Sequence, residues 1–551
     1  MQRPSATLRL IGLGAVLVLA VSACGGQKST GGGGGGGGAK QGGTLVFAAS
    51  SDPVSLDPAF ISDGESIRLT NQIYEGLVKT KPGSTEIEPS LAKSWTSSSD
   101  AKSWTFQLQQ GVKFHDGTPF NAAAVCANFD RWYNFKGLLQ SDSVSYYWVS
   151  VFGGFSDHKD PSLYKSCEAK GDSTAVINLT APSASFLAAL SLSAFAIQSP
   201  TALKKYDADK VSGTEDAPKF QGSYGLEHPT GTGALKFESF AANDKVVLVR
   251  NPDYWGPKSI LDKVIVRTIP DLAARRQALE AGEIQGYDNA DPNDVEQLKD
   301  KYQVMQRPAF NVAYVGFNQK KKPLDNPKIR QAVAYALNRE ALIKAKYPPG
   351  SEVAKEFMPP QVQGYNPDVT QYAYDPNKAK QLIAESGVKN PTIEFWYPTS
   401  VSRPYMPDPG ANFQAFKSDL EKVGFKIVSK SAPWRPDYLN ATQAGKAPMY
   451  LLGWTGDFGD ADNFIGVFFQ KFKPEWGFQN KEIFSQLDAA ERETDPAKRV
   501  EMYKQANKTI MDFLPGVPYA HTGPFLVFTK NVKGYVPSPV TTELFSTVSL
   551  G

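Results

Sequence analysis

The side chains able to do chemistry are scattered along this chain. Its four histidines, His115, His158, His228 and His521, never fall within four residues of one another, so no pair has the spacing that puts two imidazoles on one metal. No GxSxG nucleophile elbow, GxxxxGKS/T phosphate loop or GxGxxG fingerprint occurs. Asp457, Asp460 and Asp462 make a tight acidic group. A calcium loop counted from Asp460, however, needs Asp or Asn fifth and Gly sixth, where Phe464 and Ile465 stand. The expectation is a protein that is not an enzyme and that holds neither metal nor cofactor.

What must position the remaining candidates is a large folded body. The chain has 551 residues with 59 Lys plus Arg against 56 Asp plus Glu. The first 43 residues carry Arg3, Arg9, Lys28 and Lys40 and no acid, which leaves 55 bases against 56 acids over the other 508. So even a balance supplies no basic stripe for a phosphate backbone, and nucleic acid is excluded as the main partner. A body of 508 residues also exceeds what one hydrophobic core serves, so two or three domains are expected.

Arg3 and Arg9 precede an apolar stretch from Leu10 to Val21, about half the roughly 20 residues a membrane-spanning helix needs. Residues 1–23 therefore read as a signal peptide. Val21-Ser-Ala-Cys24 resembles the lipobox of bacterial lipoproteins, which implies that Cys24 is lipidated and becomes the mature N-terminus. Residues 24–43, with the run Gly31 to Gly38, form a flexible tether. Export places Cys126 and Cys167 in an oxidising compartment, and with Cys24 acylated these two remain to pair as a disulfide.

Along the body, strands are expected at Thr44 to Ala48, Trp104 to Gln109, Thr174 to Leu179, Lys245 to Arg250 and Lys263 to Ile269, with a helix over Ser66 to Lys79. From Phe310 onward strands and helices alternate. Asn326-Pro327, Asp375-Pro376 and Asp495-Pro496 each join an N-cap to proline at the first helical position and so mark three helix starts. Tyr314 to Phe317, Thr392 to Tyr397, Lys426 to Ser429 and Met449 to Trp454 are the strands these helices cover, an α/β lobe. His115 and the Asn251 to Trp255 turn are expected to be structural, and Arg330 to lie on a helix surface.

Several segments carry a family likeness. Ser55-Leu-Asp-Pro58, Ile73-Tyr-Glu-Gly-Leu-Val78, Leu91-Ala-Lys-Ser-Trp95, Gly111-Val-Lys-Phe-His-Asp-Gly117, Asn251-Pro-Asp-Tyr-Trp255, Leu279-Glu-Ala-Gly-Glu283 and Pro323-Leu-Asp-Asn-Pro327 resemble the family 5 extracellular solute-binding proteins, the dipeptide and oligopeptide receptors of ABC importers. The resemblance implies a two-lobed, three-domain periplasmic-binding-protein-like α/β fold. Domain Ia would comprise 44–75, 190–307 and 518–551, subdomain Ib 76–189 and domain II 308–517, with hinge connections near Arg307 and Gly516. It also implies a monomer, exported and lipid-anchored on the outer face of the cytoplasmic membrane, whose partners are a peptide ligand and ABC permease subunits with their ATPases.

Gly453-Trp-Thr-Gly-Asp457 resembles the loop of dipeptide-binding members whose Asp, here Asp457, pairs with the ligand's α-ammonium group, and Ser402-Arg-Pro-Tyr405 resembles the segment whose Arg, here Arg403, holds the carboxylate. The chemistry is coherent without the likeness. A free peptide carries one cation and one anion, and a site that excludes water needs a countercharge for each. Arg suits a carboxylate because its guanidinium binds both oxygens at once. Gly456, Trp454 and Tyr405 complete the candidate ligand site, the last two as walls or as core. Phe458 and Ala461 depart from the Asn and Pro common in that loop, which leaves ligand length open between dipeptides and longer oligopeptides, haem or nickel chelates. A peptide sensor without transport and a secreted hydrolase are the rival classes.

Overall fold

Strand Thr44–Ala49 buries side chains on both faces and therefore sits mid-sheet, with parallel partners on either side. The structure, a computed structural model, describes residues 41–551 apart from Asp160 and Asp216, so the signal segment and Cys24 lie outside the described residues. Around this strand a seven-stranded sheet runs in the order Leu235–Ala241, Lys245–Arg250, Lys263–Thr268, Thr44–Ala49, Gly286–Ala290, Phe525–Phe528, Gln303–Gln306. Helix Gly64–Ile73 packs on it and ends six residues earlier than the sequence suggested, and Val78–Thr80 is a strand. The helix ends because Glu75 is drawn away: its carboxylate accepts hydrogen bonds from Thr232 (2.8 Å), Tyr254 (2.7 Å) and Trp255 (2.8 Å). The Asn251 to Trp255 turn thus has a structural job.

A four-stranded antiparallel sheet, Ala92–Ser97, Ser103–Leu108, Thr174–Leu179 and Tyr164–Lys170, carries helix Ala122–Tyr133. Its core is aromatic: Phe129, Trp132, Trp148, Phe152 and Tyr164 are all buried, with Phe129 and Tyr164 stacked at 5.7 Å. Cys126 on the helix is bonded to Cys167 on the outer strand, their Cα atoms 5.1 Å apart.

The third sheet has five strands in the order Lys426–Pro433, Thr392–Thr399, Met449–Thr455, Asn311–Phe317, Gly516–Ala520. The first three are mutually parallel, whereas Asn311–Phe317 is antiparallel to both of its neighbours and every one of its side chains is buried. Helices Pro327–Ala336, Pro376–Ser386 and Pro496–Phe513 start where the three Asx-Pro pairs stand, each capped by the Asx side chain. Arg330 departs from expectation. It is buried and donates to the carbonyls of Leu514 (3.1 Å), Phe513 (3.0 Å) and Leu324 (3.1 Å), tying its helix to the end of Pro496–Phe513.

The chain passes between the seven- and five-stranded sheets twice, after Gln306 and again after Ala520. The second passage lies beyond Gly516, because Gly516–Ala520 is a strand of the five-stranded sheet; a boundary at 517/518 would cut it. The two passages run side by side. The Arg307 N–H donates to the Pro524 carbonyl (3.0 Å), Asn311 Nδ2 to the Thr522 carbonyl (2.6 Å), and His521 Nδ1 to the Asn311 carbonyl (2.6 Å). Burial pushes the His521 imidazole down to about 4, so it is neutral at physiological pH. Arg307 is anchored in the first lobe by Glu543 (2.5 Å) and Asp288 (3.1 Å).

Candidate functional site

Three parallel strands of the five-stranded sheet end at one edge, and each continues into a candidate residue: Thr392–Thr399 into Arg403, Lys426–Pro433 into Trp434, Met449–Thr455 into Asp457. The carboxyl ends of parallel strands are where open α/β sheets bind ligands, because the connections leaving them are free to diverge. Steric contact draws two of these connections together. A Cβ on Gly453 would lie 2.3 Å from Tyr405, so glycine there lets the Arg403–Tyr405 turn rest on the strand leading to Asp457.

Asp457 is a carboxylate without a cation among the described residues. Tyr147, from the subdomain with the antiparallel sheet, donates its hydroxyl to Asp457 Oδ1 (2.9 Å). Asn463 accepts from the Asp457 N–H (2.7 Å) and offers its own amide to Oδ2 at 3.4 Å. Burial pushes the carboxyl up to about 6, and these hydrogen bonds offset only part of that penalty. Three residues on, Asp460 shows the contrast: Arg499 binds it with two hydrogen bonds (2.7 and 2.8 Å). The same loop thus holds one neutralised structural carboxylate and one left unneutralised beneath a tyrosine of the other lobe.

Arg403 is the converse, a cation without an anion among the described residues. Its guanidinium carbon stands 5.0 Å from the Trp434 ring centroid and 5.9 Å from that of Tyr405, and its Nε is buried without a hydrogen-bond partner. Ring faces stabilise a cation while leaving its N–H edge unspent. Trp434 opens a π-helical turn, Trp434–Tyr438, and stacks on Tyr438, whose hydroxyl donates to the Leu451 carbonyl (2.6 Å).

The other sequence candidates fall into place around this pair. Trp454 is partly exposed, edge-on to Phe468 at 6.1 Å, with an unpartnered Nε1. Tyr405 is only 3% exposed and so supports Arg403 from below. Gly456 is required by packing, since a Cβ there would lie 2.3 Å from the Phe310 ring. His115 accordingly is structural, its Nε2 donating to the Gly233 carbonyl (2.9 Å). Sequence reading missed Tyr147, Asn463 and Trp434. The aromatic run Tyr146-Tyr-Trp148 was the one available sign of the first, Asn463 stands in Asp462-Asn-Phe464 of the loop that resembles dipeptide-binding members, and Trp434 carried none.

Two sheets joined by a double crossing, with Tyr147 of one lobe bonded to Asp457 of the other, define a two-lobed protein. The chain belongs to the bacterial extracellular solute-binding proteins, family 5, whose model matches residues 86–476. It is 34% identical over 523 residues to the dipeptide-binding protein of Escherichia coli K12, covering 92% of this chain and 94% of that one. To heme-binding protein A of Haemophilus influenzae it is 32% identical over 555 residues, with 99% of each covered. Among solved structures, the periplasmic binding protein DppA of Helicobacter pylori in complex with the peptide STSA superposes with a TM-score of 0.79 at 31% identity, covering 93% of this chain and 98% of that one.

Proposed function

We propose that this protein is the substrate-binding lipoprotein of an ABC importer, capturing peptides, dipeptides first, between its lobes and delivering them to the permease. The observation that carries the reading is the pair Asp457 and Arg403: opposite charges, neither neutralised, at one edge of one sheet. A free dipeptide supplies the missing ammonium and carboxylate. The heme-binding relative and the peptide-bound neighbour mark haem and longer peptides as the competing ligands. In this reading residues 44–75, 190–307 and 521–551 form domain Ia, 76–189 subdomain Ib and 308–520 domain II. Cys24 is acylated and residues 24–43 are the tether, which fixes a monomeric receptor to the outer face of the cytoplasmic membrane.

Native mass spectrometry of the as-purified protein, followed by incubation with a dipeptide mixture, tests this. One intact dipeptide per chain is expected. Free amino acids in the mixture would mark a hydrolase, and a haem, a nickel chelate or a longer peptide as the retained ligand would overturn the dipeptide assignment. Loss of growth on peptides after deletion separates import from sensing.

A further inference from the structure

At the end of the five-stranded sheet away from Asp457 and Arg403, the chain gathers lysines. Strand Asn311–Phe317 runs about 20 Å from the hinge passages into Asn318-Gln-Lys-Lys-Lys322, beside Gly445-Lys-Ala-Pro448, which enters Met449–Thr455. Asn318 ties three segments together: its N–H donates to the Pro448 carbonyl (2.8 Å), and its Nδ2 to the carbonyls of Gly445 (2.9 Å) and Pro474 (3.1 Å). The third segment adds Lys471 and Lys473, and its Phe472 ring centroid lies 4.4 Å from Lys320 Nζ. Residues 318–326, 443–448 and 470–477 together hold six lysines, two acids (Asp325 and Glu475) and no arginine. Among the described residues none of these lysines has a carboxylate within 4.0 Å, and all but Lys473 are exposed. Elsewhere in the same lobe surface lysines are paired, as Lys328 is with Glu385, Lys504 with Glu501 and Lys508 with Asp512.

We propose that this lysine face docks on anionic phospholipid headgroups, so that the second lobe rests on a membrane surface. A body whose bases and acids stand at 55 against 56 has no net attraction to such a surface, and a local excess of lysines supplies one. The residue type selects the partner. Protein interfaces are enriched in Arg, whose rigid fork binds carboxylates in a set geometry, and are poor in Lys. Ammonium groups on flexible stems suit a diffuse layer of charge, where each strengthens adsorption about fivefold. Docking at this end leaves the strand ends that carry Asp457 and Arg403 free. The inference rests on the proposed outer-face anchoring only for the membrane being near.

Flotation of the full-length Cys24→Ala protein with lipid vesicles tests the face without an acyl group. It is expected to bind vesicles of about one-quarter phosphatidylglycerol in phosphatidylcholine at about 50 mM salt and to leave them at about 0.5 M, where screening acts within roughly 4 Å. Pure phosphatidylcholine vesicles should not hold it. Lys320→Gln, Lys321→Gln and Lys322→Gln in one chain should weaken binding roughly 100-fold. Lys498→Gln, Lys504→Gln and Lys508→Gln in one chain remove the same charge from the same lobe and should change binding by no more than about threefold. Unchanged melting temperatures separate lost binding from lost fold. Equal losses from the two triple variants, or equal binding to uncharged vesicles, would overturn the proposal. So would absence of lipid binding with the 320–322 variant failing instead to crosslink to the permease, which would assign the face to an acidic protein surface. Vesicle binding as expected, from a protein whose wild-type form carries no acyl group, would keep the lysine face and remove the anchor.

Discussion

Replacing Asp457 by Asn should make the ligand-free protein more stable and nearly unable to bind. Burial lifts the carboxyl from 3.8 to about 6, which costs the folded state about 3 kcal/mol at neutral pH. The sign follows from the direction of the shift. A raised carboxyl binds its proton more tightly folded than unfolded, so the cost is full above pH 6 and fades as pH falls from there toward 4. Asn carries no charge to desolvate. It can still accept from Tyr147, but its amide would face that of Asn463, so a net gain of about 1 to 3 kcal/mol is expected. Differential scanning calorimetry of the ligand-free protein at pH 7.5 and pH 5 reads this directly: the variant should melt higher at pH 7.5, with the gap closing at pH 5. Binding moves the other way. Leaving a ligand ammonium buried and unpaired costs about 2 to 5 kcal/mol, or roughly 30- to several-thousand-fold in affinity for a free dipeptide by titration calorimetry. In wild type, protonation of Asp457 competes with the ligand, so affinity should fall about tenfold for each pH unit below 6. A variant that melts lower at pH 7.5 yet binds normally would refute the assignment of Asp457 as an uncompensated receptor charge.

Arg403→Gln should cost a similar 2 to 5 kcal/mol for free dipeptides and little for C-amidated ones, read as the acid-to-amide affinity ratio; an unchanged ratio places the carboxylate elsewhere. Cys24→Ala should release the protein from the membrane fraction, and retention after a high-salt wash would show that the anchor is another group. Replacing Cys126 and Cys167 by Ser removes a crosslink across 41 residues and should lower stability by about 2 to 4 kcal/mol in chemical denaturation, without changing ligand specificity.

Much of the fold was legible because local rules and tertiary packing agreed. The Asx-Pro starts at 326, 375 and 495 state their own geometry, and the central strands are apolar runs that only a buried sheet accepts. The expectations that failed did so where distant groups overruled local pattern. The helix after Ser66 stops at Ile73 because Glu75 has partners at 232, 254 and 255, and Arg330 is buried because three carbonyls more than the helix surface could offer await it. The site divides in the same way. Asp457 and Arg403 stand in recognisable local motifs, whereas Tyr147 reaches Asp457 from 310 residues away in sequence, a distance at which a string of letters carries no contact.

Which charges are left unpaired is the most informative property of this molecule. Arg68, Asp288, Arg307 and Glu543 form a buried chain of ion pairs within the first lobe, and Asp460 with Arg499 does the same in the second. A fold able to neutralise those charges had the means to neutralise Asp457 and Arg403 too. Leaving Asp457 bare costs stability, and in the function proposed above a ligand with the complementary termini restores it. The same logic explains why the carboxylate and the guanidinium are supported differently. Hydrogen bonds from Tyr147 and Asn463 hold Asp457, whereas aromatic rings flank Arg403 and leave its Nε–H without a hydrogen-bond partner. Each support fixes the side chain without neutralising it, which is the arrangement the proposed capture of both peptide ends relies on.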